Sequence, residues 1–263
     1  MTDALFQRSA QDTFTPSELA RGPWSPDALH GGPVAALLAG VAERVSAPAP
    51  MQPARLSLEL LRPVPLAPLR VEATVERPGR KVQWVGAMLH AGESLVARAT
   101  LLRIRTAELP LPEAHGGGRV APPPPPAGAA TTRPEWSSGT TAYHSHGVEH
   151  RVVRGAWGRL GPCTDWIRLR VPVTDDAEPT PLQRVAAVAD FGNGISSALP
   201  FGEWRFINPD LTIHLQRLPA GQWVGLDAVT WPESHGIGLA ESELFDEQGR
   251  VGRSLQSLLL DRS

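Results

Sequence analysis

The stretch SLELLRPVPLAPLRVEA (57–73) has a second copy in the chain, TIHLQRLPAGQWVGLDA (212–228). In each copy apolar and polar residues alternate, an arginine and a proline-containing turn follow, and a second run of apolar and polar residues closes the segment. Alternation with a period of two is typical of β-strands, so each copy predicts a strand, a turn and a strand. Arg62 aligns with Arg217 at an offset of 155 residues. The chain therefore carries one supersecondary pattern twice.

Two further pairs of segments repeat in the same order. GESLVARATLL (92–102) resembles GRVGRSLQSLL (249–259) at an offset of 157, and HGGPVAALL (30–38) resembles FGNGISSAL (191–199) at an offset of 161. Three segments in one order at a nearly constant offset indicate a duplicated domain rather than a chance match.

A segment with a different composition separates the two copies. Residues 106–135 include AHGGGRVAPPPPPAGAATTRP, with five consecutive prolines. Proline has no amide donor and favours the extended polyproline conformation, so this segment predicts a linker. We therefore expect an N-terminal unit at 1–105 and a C-terminal unit at 136–263.

Each unit contains a helix that is followed by four strand candidates. In the first unit the Ala/Leu-rich segment 27–46 predicts a buried helix, with start signals at Asp27 and in the turn at 31–33. The strand candidates after it are 56–60, 69–75, 82–89 and 95–104. A central buried helix followed by consecutive antiparallel strands is the order of elements in a hotdog fold.

The second unit repeats this order. Two strand candidates, 147–153 and 166–173, come before the helix region 181–199. The strand candidates after the helix region are 206–215, 223–229, 236–245 and 252–260. The turn DEQG (246–249) between the last two predicts a hairpin.

The copies differ at four polar positions. The second copy carries Asp190, Asn208, Thr212 and Gln256. The first copy has, at the aligned positions, Leu29, Pro53, Ser57 and Ala99. A carboxylate with amide and hydroxyl groups in one copy alone points to a single catalytic site, in the second unit.

Composition excludes several classes of protein. The net charge of −2 offers no basic surface for nucleic acid or anionic lipid. Cys163 is the single cysteine, which excludes an internal disulfide framework and favours a reducing compartment. The N-terminus lacks a secretory signal, and the longest apolar run, 33–41, is far shorter than the roughly 20 residues that span a bilayer. We expect a cytoplasmic protein with neither a nucleic-acid nor a membrane partner.

Several motifs together resemble a known family. The second unit carries ADFGNG (189–194), DLTIHLQR (210–217) and Gln256, and the first carries RGPWSPDALHGGPVAALL and ELLRPVP. These segments resemble the double-hotdog acyl-CoA thioesterases, and are similar to bacterial acyl-CoA thioesterase II. The resemblance implies an α+β double hotdog, in which two hotdog units follow in tandem and each wraps a central helix in an antiparallel sheet. The two sheets are expected to pair edge to edge.

The resemblance also implies a reaction and its residues. In the family an Asp, a Thr or Ser, and a Gln hold a water that attacks the thioester carbonyl, giving free acid and CoA. Asp190 and Gln256 match directly. Asn208 stands where the family has its hydroxyl residue, and Thr212 is the other candidate for that role. The resemblance implies an acyl-CoA substrate and no metal or other cofactor, and we expect a homo-oligomer, with a dimer the simplest closed form.

Backbone amides are the expected oxyanion donors. If the helix is interrupted at Gly192, Asn193 and Gly194, free N–H groups there can bind a developing negative charge. An aspartate beside such a turn is also common as a plain helix cap, so Asp190 has a structural as well as a catalytic interpretation. At the start of the first helix, His30, Gly31 and Gly32 are further candidates for binding substrate or oxyanion. His30 is either a catalytic base or a helix-start residue.

Two other functions remain open from the sequence. A hotdog dehydratase or hydratase would place His30 and Asp190 in one cavity without Gln256. A non-catalytic acyl-thioester binding protein would account for the missing hydroxyl residue. The histidines of YHSHGVEH (143–150) have spacings that could serve a metal, but no partner motif accompanies them, so a polar segment leading into a strand is the favoured interpretation.

Overall fold

The structure, a computed structural model, describes residues 3–110, 123, 131 and 140–263. The first unit contains an N-terminal hairpin, a long helix and four strands. Its elements are β1 (Phe6–Arg8), β2 (Thr13–Pro16), a short 3-10 helix (Glu18–Ala20), α1 (Gly31–Glu43), β3 (Met51–Leu60), β4 (Leu69–Arg77), β5 (Val82–Ala91) and β6 (Ser94–Arg105). The helix and the four strands after it were predicted; the hairpin was not, because its strands are too short for a clear pattern.

The second unit repeats this arrangement with a broken helix and a broken strand. Its elements are a π-helical turn (Tyr143–Gly147), β7 (Val148–Arg154), β8 (Cys163–Leu169), α2 (Pro181–Ala189), α3 (Gly192–Ile195), β9 (Trp204–Ile207), β10 (Asp210–Leu215), β11 (Val224–Pro232), β12 (Ile237–Asp246) and β13 (Gly249–Arg262). The predicted strand 206–215 is divided between β9 and β10 at Asn208 and Pro209. Proline cannot donate to a ladder, which explains the break.

Within the described chain, the strands form one antiparallel sheet of thirteen. Its order is β1-β2-β4-β5-β6-β3-β10-β13-β12-β11-β8-β7, and β9 also pairs with β13. β3 and β10 join the halves edge to edge, with Ser57 opposite Thr212. The order on one side of this joint mirrors the order on the other. The α+β double hotdog expected from the sequence is therefore confirmed.

Strand register shows how the two copies correspond. In the first unit Val71 pairs with Leu89, and 155 residues later Leu226 pairs with Leu244. The same offset relates the pair Leu58–Ala99 to the pair Ile213–Ser254. The offset of 155 thus holds across the sheet, and the offset of 157 predicted for the last repeated segment is wrong by two residues.

The corrected register changes which residue of the first copy aligns with Gln256. Gln256 pairs with Ala240, and 155 residues earlier Leu101 pairs with Val85. The first copy therefore has Leu101 at this position, not Ala99. The contrast between an amide in one copy and an apolar residue in the other survives the correction.

The helices correspond differently from the sequence alignment. α1 begins at Gly31 and α2 at Pro181, and each is capped by the preceding side chain: His30 accepts from the amide of Gly32, and Thr180 from the amide of Gln183. Thr180 is therefore the counterpart of His30, and the alignment of 30–38 with 191–199 is wrong.

Counting from the two caps shows that the residue of the first copy that corresponds to Asp190 is not Leu29. Asp190 lies ten residues after Thr180, and Gly40 lies ten residues after His30. The predicted helix start near Asp27 also moves, since His30 is the cap. Asp190 therefore corresponds to Gly40, which has no side chain that could act in a reaction.

The two helices pack closely, because glycines line the face of α1 that meets α2. A Cβ on Gly32 would overlap the carbonyl oxygen of Ala187, and a Cβ on Gly40 would overlap the side chain of Gln183. A Cβ on Gly31 would lie 2.6 Å from Asp190 Oδ2. Only glycine permits this approach, which brings the start of α1 against the end of α2.

Most buried apolar residues of both units belong to one cluster, which extends from Leu5 to Val251. A second, smaller cluster is formed by Phe206, Ala240, Leu258 and Leu260. Leu5, just before the N-terminal hairpin, also reaches the second unit, where its amide donates to the carbonyl of Pro172. The predicted boundaries at 105 and 136 stay a prediction, because most of the proposed linker lies outside the described residues. No helix in the described part is long and apolar enough to cross a membrane.

Replacing Gly32 with alanine is expected to destabilise the protein by about 1–3 kcal/mol, because the overlap is with backbone, which yields less easily than a side chain. Gly194→Ala is the matched control, since a Cβ there meets nothing within 4 Å. Urea unfolding of both variants measures the difference. Equal stability of Gly32→Ala and the parent protein would contradict the packing described for α1 and α2.

Candidate active site

A cavity of about 740 Å³ lies between the two units. The first unit contributes the start of α1 and the end of β3, and the second contributes the segment between α2 and β10. The wall residues used below are Trp24, His30, Gly31, His144, Trp157, Asp190, Asn193, Gly194, Phe201, Phe206 and Asn208. Because both units supply the walls, neither unit alone contains this site.

Asp190 follows the last residue of α2 and is the buried carboxylate of the cavity, with 5 % of its surface exposed. Its Oδ1 accepts two hydrogen bonds, from Asn208 Nδ2 at 2.8 Å and from Gln256 Nε2 at 3.1 Å. The structure therefore brings together three of the residues that the sequence singled out. Their placement agrees with the predicted site, while their catalytic roles stay a prediction.

Gln256 connects the carboxylate to the helix that follows it. Its Nε2 also donates to the carbonyl oxygen of Asp190 at 3.2 Å, and its Oε1 accepts from the amide of Asn193 at 3.1 Å. The side chain is buried, with 1 % exposed, so these bonds satisfy an amide that would otherwise be costly to bury. Gln256 does not line the cavity, and it hydrogen-bonds Asp190 from the buried side.

Asn208 reaches Asp190 because β9 ends just before it. Beside its bond to Asp190, its Nδ2 donates to the carbonyl of Asp210 at 3.2 Å. Thr212 pairs with Leu255 on β13, so the two side chains lie on the same face of the sheet. Gln256 follows Leu255 and therefore points to the opposite face.

The structure thus does not bring Thr212 to Asp190. Asn208 precedes the break at Pro209 and Thr212 follows it, so a single strand alternation does not relate the two side chains. Between the two candidates for the hydroxyl position, Asn208 is the one that contacts the carboxylate.

The three predicted oxyanion donors differ in their surroundings. The amide of Asn193 is engaged by Gln256. Gly192 is packed tightly, since a Cβ there would lie 2.8 Å from both Gln256 Oε1 and Ser242 Oγ. Gly194 lines the cavity with open space beside it. Gly194 is therefore the member of this group best placed to meet a substrate.

His30 lies against Asp190 from the other unit. Its Nδ1 is 2.9 Å from Asp190 Oδ2 and 3.1 Å from the amide nitrogen of Gly32. Its side chain is 10 % exposed and forms part of the cavity wall. The missing side chain at Gly31 makes this contact possible, and the amide of Gly32 donates to the imidazole. His30 and Asp190 thus face one cavity, as the dehydratase alternative requires, but Gln256 is bonded to Asp190, which that alternative excludes.

Aromatic rings enclose the imidazole of His30. The ring of Phe191 lies 4.7 Å from it and the ring of Tyr143 lies 5.1 Å from it. The Tyr143 hydroxyl donates to the carbonyl of Ala187 at 2.9 Å, and burial together with Asp190 holds its pKa well above the ordinary value. Tyr143 is therefore a neutral packing group here.

A second His–Asp pair lies beneath this aromatic layer and was missed from the sequence. His150 Nδ1 is 2.7 Å from Asp165 Oδ2, and both side chains are almost fully buried. Asp165 Oδ2 also accepts from the indole of Trp157 at 3.2 Å, and His150 Nε2 donates to the carbonyl of His144 at 3.0 Å. The pair thereby holds two residues of the cavity wall. The register between β7 and β8 brings His150 and Asp165 together, and no sequence pattern predicts that register.

The described residues contain no group of three or more His, Cys, Asp or Glu side chains that could hold a metal. The histidines at 144, 146 and 150 have separate surroundings. His146 Nδ1 lies 2.9 Å from Ser145 Oγ, His150 pairs with Asp165, and His144 lines the cavity.

Comparisons with known proteins identify the family. The model of the acyl-CoA thioesterase N-terminal domain matches residues 20–104, and that of the acyl-CoA thioesterase C-terminal domain matches residues 118–260. Together these matches cover most of the chain. The chain belongs to the acyl-CoA thioesterase family. It is accordingly a thioester hydrolase.

Solved structures of this fold include thioesterases. Acyl-CoA thioesterase II from Mycobacterium marinum is similar with a TM-score of 0.65 and 16 % identity, over 98 % of this chain and 95 % of its own. The tesB protein of Mycobacterium avium subs. paratuberculosis has a TM-score of 0.67 and 15 % identity, over 97 % and 96 %. A conserved hot dog fold protein from Alicyclobacillus acidocaldarius has a TM-score of 0.74 and 17 % identity, over 97 % and 95 %. No curated protein matches the sequence.

The stability of this thioesterase is expected to fall as the pH drops below about 6.5. Burial, with the charges of His30, His150 and His146, lowers the pKa of His144 from 6.5 to about 3. Between these values the unfolded chain binds a proton at His144 that the folded protein does not, so acid favours unfolding.

His144→Gln removes this titration and should flatten the pH dependence. Urea unfolding of the parent and the variant at about pH 7 and about pH 5 measures it. Carboxylates with lowered pKa values affect the pH dependence of stability mainly below this pH range. The same loss of stability in both proteins would contradict a buried, neutral His144.

Asn208→Ala is expected to lower kcat by about 10- to 100-fold, because it removes one of the two donors that hold Asp190 Oδ1. Thr212→Val, on the other face of the sheet, should stay within about twofold of the parent. Steady-state CoA release by both variants decides between the two candidates. A larger effect at Thr212 would assign the missing hydroxyl role to that residue instead.

Proposed function

We propose that this thioester hydrolase cleaves acyl-CoA to a free acid and CoA in the cavity between its two units. The contact of Asn208 and Gln256 with one oxygen of Asp190 carries the proposal. A carboxylate held in this way at a cavity wall is suited to orient a water molecule for attack on a thioester. The family match supports the substrate class, since both of its domain models describe acyl-CoA thioesterases.

The chemistry requires no covalent nucleophile. A thioester carbonyl is already reactive, so an oriented water is sufficient, and the site supplies the means to orient it. The single cysteine does not compete for this role: burial and the neighbouring Asp165 raise the pKa of the Cys163 thiol to about 12. Its thiolate, the nucleophilic form, is therefore scarce at neutral pH.

The amides at the cavity would stabilise the charge that develops on the carbonyl oxygen. Gly194 is the third residue of α3 and borders open space, and Gly31 is the first residue of α1 beside Asp190. Hydrogen-bond donors that are fixed before the reaction stabilise this charge more than water does, because they need not reorient as the charge develops. These two residues come from different units, as do the walls of the cavity.

The apolar part of the cavity suits an acyl chain. The ring of Trp24 lies 5.2 Å from that of Phe201 and 5.1 Å from that of Phe206. This cluster lies on the wall with Leu60 and Leu199. Burying an acyl chain against it is favourable by about 0.8 kcal/mol per methylene group. A fatty acyl group, and hence a role in lipid metabolism, is the substrate type that this wall favours.

We further propose a cytoplasmic location and assembly into a homo-oligomer, with a dimer as the simplest form. The absence of any cysteine pair, with Cys163 as the single and buried cysteine, agrees with a reducing compartment. Self-association is supported by a row of exposed apolar side chains on neighbouring strands of the second unit. They are Ile207, Trp231, Ile237, Leu239 and Leu259.

Asp190→Asn should lower CoA release from acyl-CoA by about 10²- to 10⁴-fold, because it removes the charge that orients or deprotonates the water. Asp261→Asn is the matched control, since that carboxylate lies exposed near the end of β13 and, among the described residues, accepts only from the amide of Arg262. Release of CoA is followed with a thiol reagent over a panel of acyl-CoA lengths. A parent protein that releases no CoA from any of them would overturn the proposed function.

A further inference from the structure

The cavity wall carries positive charge that the proposed hydrolysis does not use. Among the described residues it contains two arginines, Arg62 and Arg159, and one carboxylate, that of Asp190. Asp190 is buried, whereas both arginines are exposed. The arginines therefore lie where the cavity opens to solvent, and the carboxylate lies at its buried end.

The duplication shows what Arg62 lacks. Its counterpart in the second unit, Arg217, forms a bidentate ion pair with Asp246, with N–O distances of 2.5 Å and 2.6 Å. The side chain of Asp246 is fully buried, so this arginine neutralises a carboxylate inside the protein. Asp246 pairs with Gly249, and 155 residues earlier Ala91 pairs with Ser94. The first unit thus has an alanine where the second unit has the carboxylate.

Arg62 is accordingly left without an internal counterion. Its guanidinium makes no ion pair or hydrogen bond with any residue that the structure describes, and Glu59 on the preceding strand pairs with Arg98. Its backbone amide donates to the carbonyl of Val96 at 3.2 Å, which fixes the turn after β3 beside the cavity. An arginine without a counterion is available to an anion, and a phosphate accepts from two of its N–H groups at once.

Arg159 reaches the same cavity on a loop that is longer in the second unit. The hairpins β1–β2 and β7–β8 hold equivalent places at the two ends of the sheet. The loop of the second hairpin, 155–162, is longer than that of the first, 9–12. The amide of Gly161 donates to the carbonyl of Ser197 at 2.8 Å, which ties this loop to the segment after α3. The guanidinium of Arg159 likewise makes no ion pair or hydrogen bond within the described part of the chain.

We propose that Arg62 and Arg159 bind the phosphate groups of CoA at the mouth of the cavity. CoA carries a diphosphate and a 3′-phosphate at the end opposite to its thiol, and the pantetheine arm separates the two ends. One molecule can therefore place its thioester at the buried end of a cavity and its phosphates outside. The buried Asp190 and the two exposed arginines have the same order. This inference rests on the proposed function and names the residues that recognise the CoA part of its substrate.

The position of these arginines predicts which kinetic constant they affect. Exposed arginines attract an anionic substrate to the mouth, and this attraction weakens as salt is added. The phosphates do not change while the thioester reacts, so their contacts are equally strong in the ground state and in the transition state. Contacts of this kind lower KM and leave kcat unchanged.

Arg62→Gln and Arg159→Gln are each expected to raise KM for acyl-CoA by about tenfold, with kcat within about twofold of the parent, because each removes a charge-assisted hydrogen bond. The same variants should hydrolyse S-acyl-pantetheine, which has the thioester and no phosphate, with kcat/KM within about twofold of the parent. Thiol release from both substrates is followed with the same thiol reagent. An equal loss with both substrates would indicate a structural role and overturn the inference.

Arg205→Gln is the matched control, since Arg205 is exposed on β9 next to Phe206 but does not line the cavity. It should keep the parent's KM for both substrates. Added sodium chloride should raise KM for acyl-CoA more in the parent than in the double variant Arg62→Gln/Arg159→Gln, because salt screens an attraction that the double variant lacks. The same salt dependence in both proteins would count against the inference.

The outcomes separate this inference from the proposed function. If the parent releases CoA and either variant keeps the parent's KM for acyl-CoA, hydrolysis stands and the assignment to that arginine fails. If the parent releases no CoA, the proposed hydrolysis fails, and calorimetry with a thioether analogue of acyl-CoA still tests the arginines. Binding that is about tenfold weaker in each variant supports them, and binding equal to that of the parent overturns them.

Discussion

The close contact between the start of α1 and the end of α2 is the constraint on which the site depends. Glycines at 31 and 32 let the first helix approach until a Cβ would overlap Ala187. The approach places His30 of one unit 2.9 Å from Asp190 of the other. Any bulkier side chain would separate the units at the point where they form the cavity. The helix contact is thus a packing feature that also sets the geometry of the proposed site.

The duplication explains why the chain has one such site and not two. A pseudo-twofold axis passes near the pairing of Ser57 with Thr212, and it relates the site to a second place at the opposite ends of the helices. There the counterparts of Asp190, Asn208 and Gln256 are Gly40, Pro53 and Leu101. Glycine, proline and leucine side chains can neither take a proton nor orient a water. Thr180 stands in place of His30, and its hydroxyl donates to Glu43 at 2.5 Å.

Much of the fold could be predicted from the sequence, because the strand pattern is duplicated and each copy supports the other. The cluster of Asp190, Asn208 and Gln256 was also found, since each is polar where its counterpart is not. Thr212 was a candidate for the hydroxyl role but does not reach Asp190, because the break at Pro209 resets the alternation. The sequence brought His30 and Asp190 together only within the dehydratase alternative, and it missed the contact His150–Asp165. Helix approach and strand register are tertiary properties that local patterns do not contain.

The central claim is that the two units build one acyl-CoA site per chain. Isothermal titration calorimetry with a non-hydrolysable thioether analogue of acyl-CoA measures the number of sites directly. We expect one site per chain, because a single end of the helix pair carries the polar cluster. Two sites of similar affinity per chain would contradict the claim.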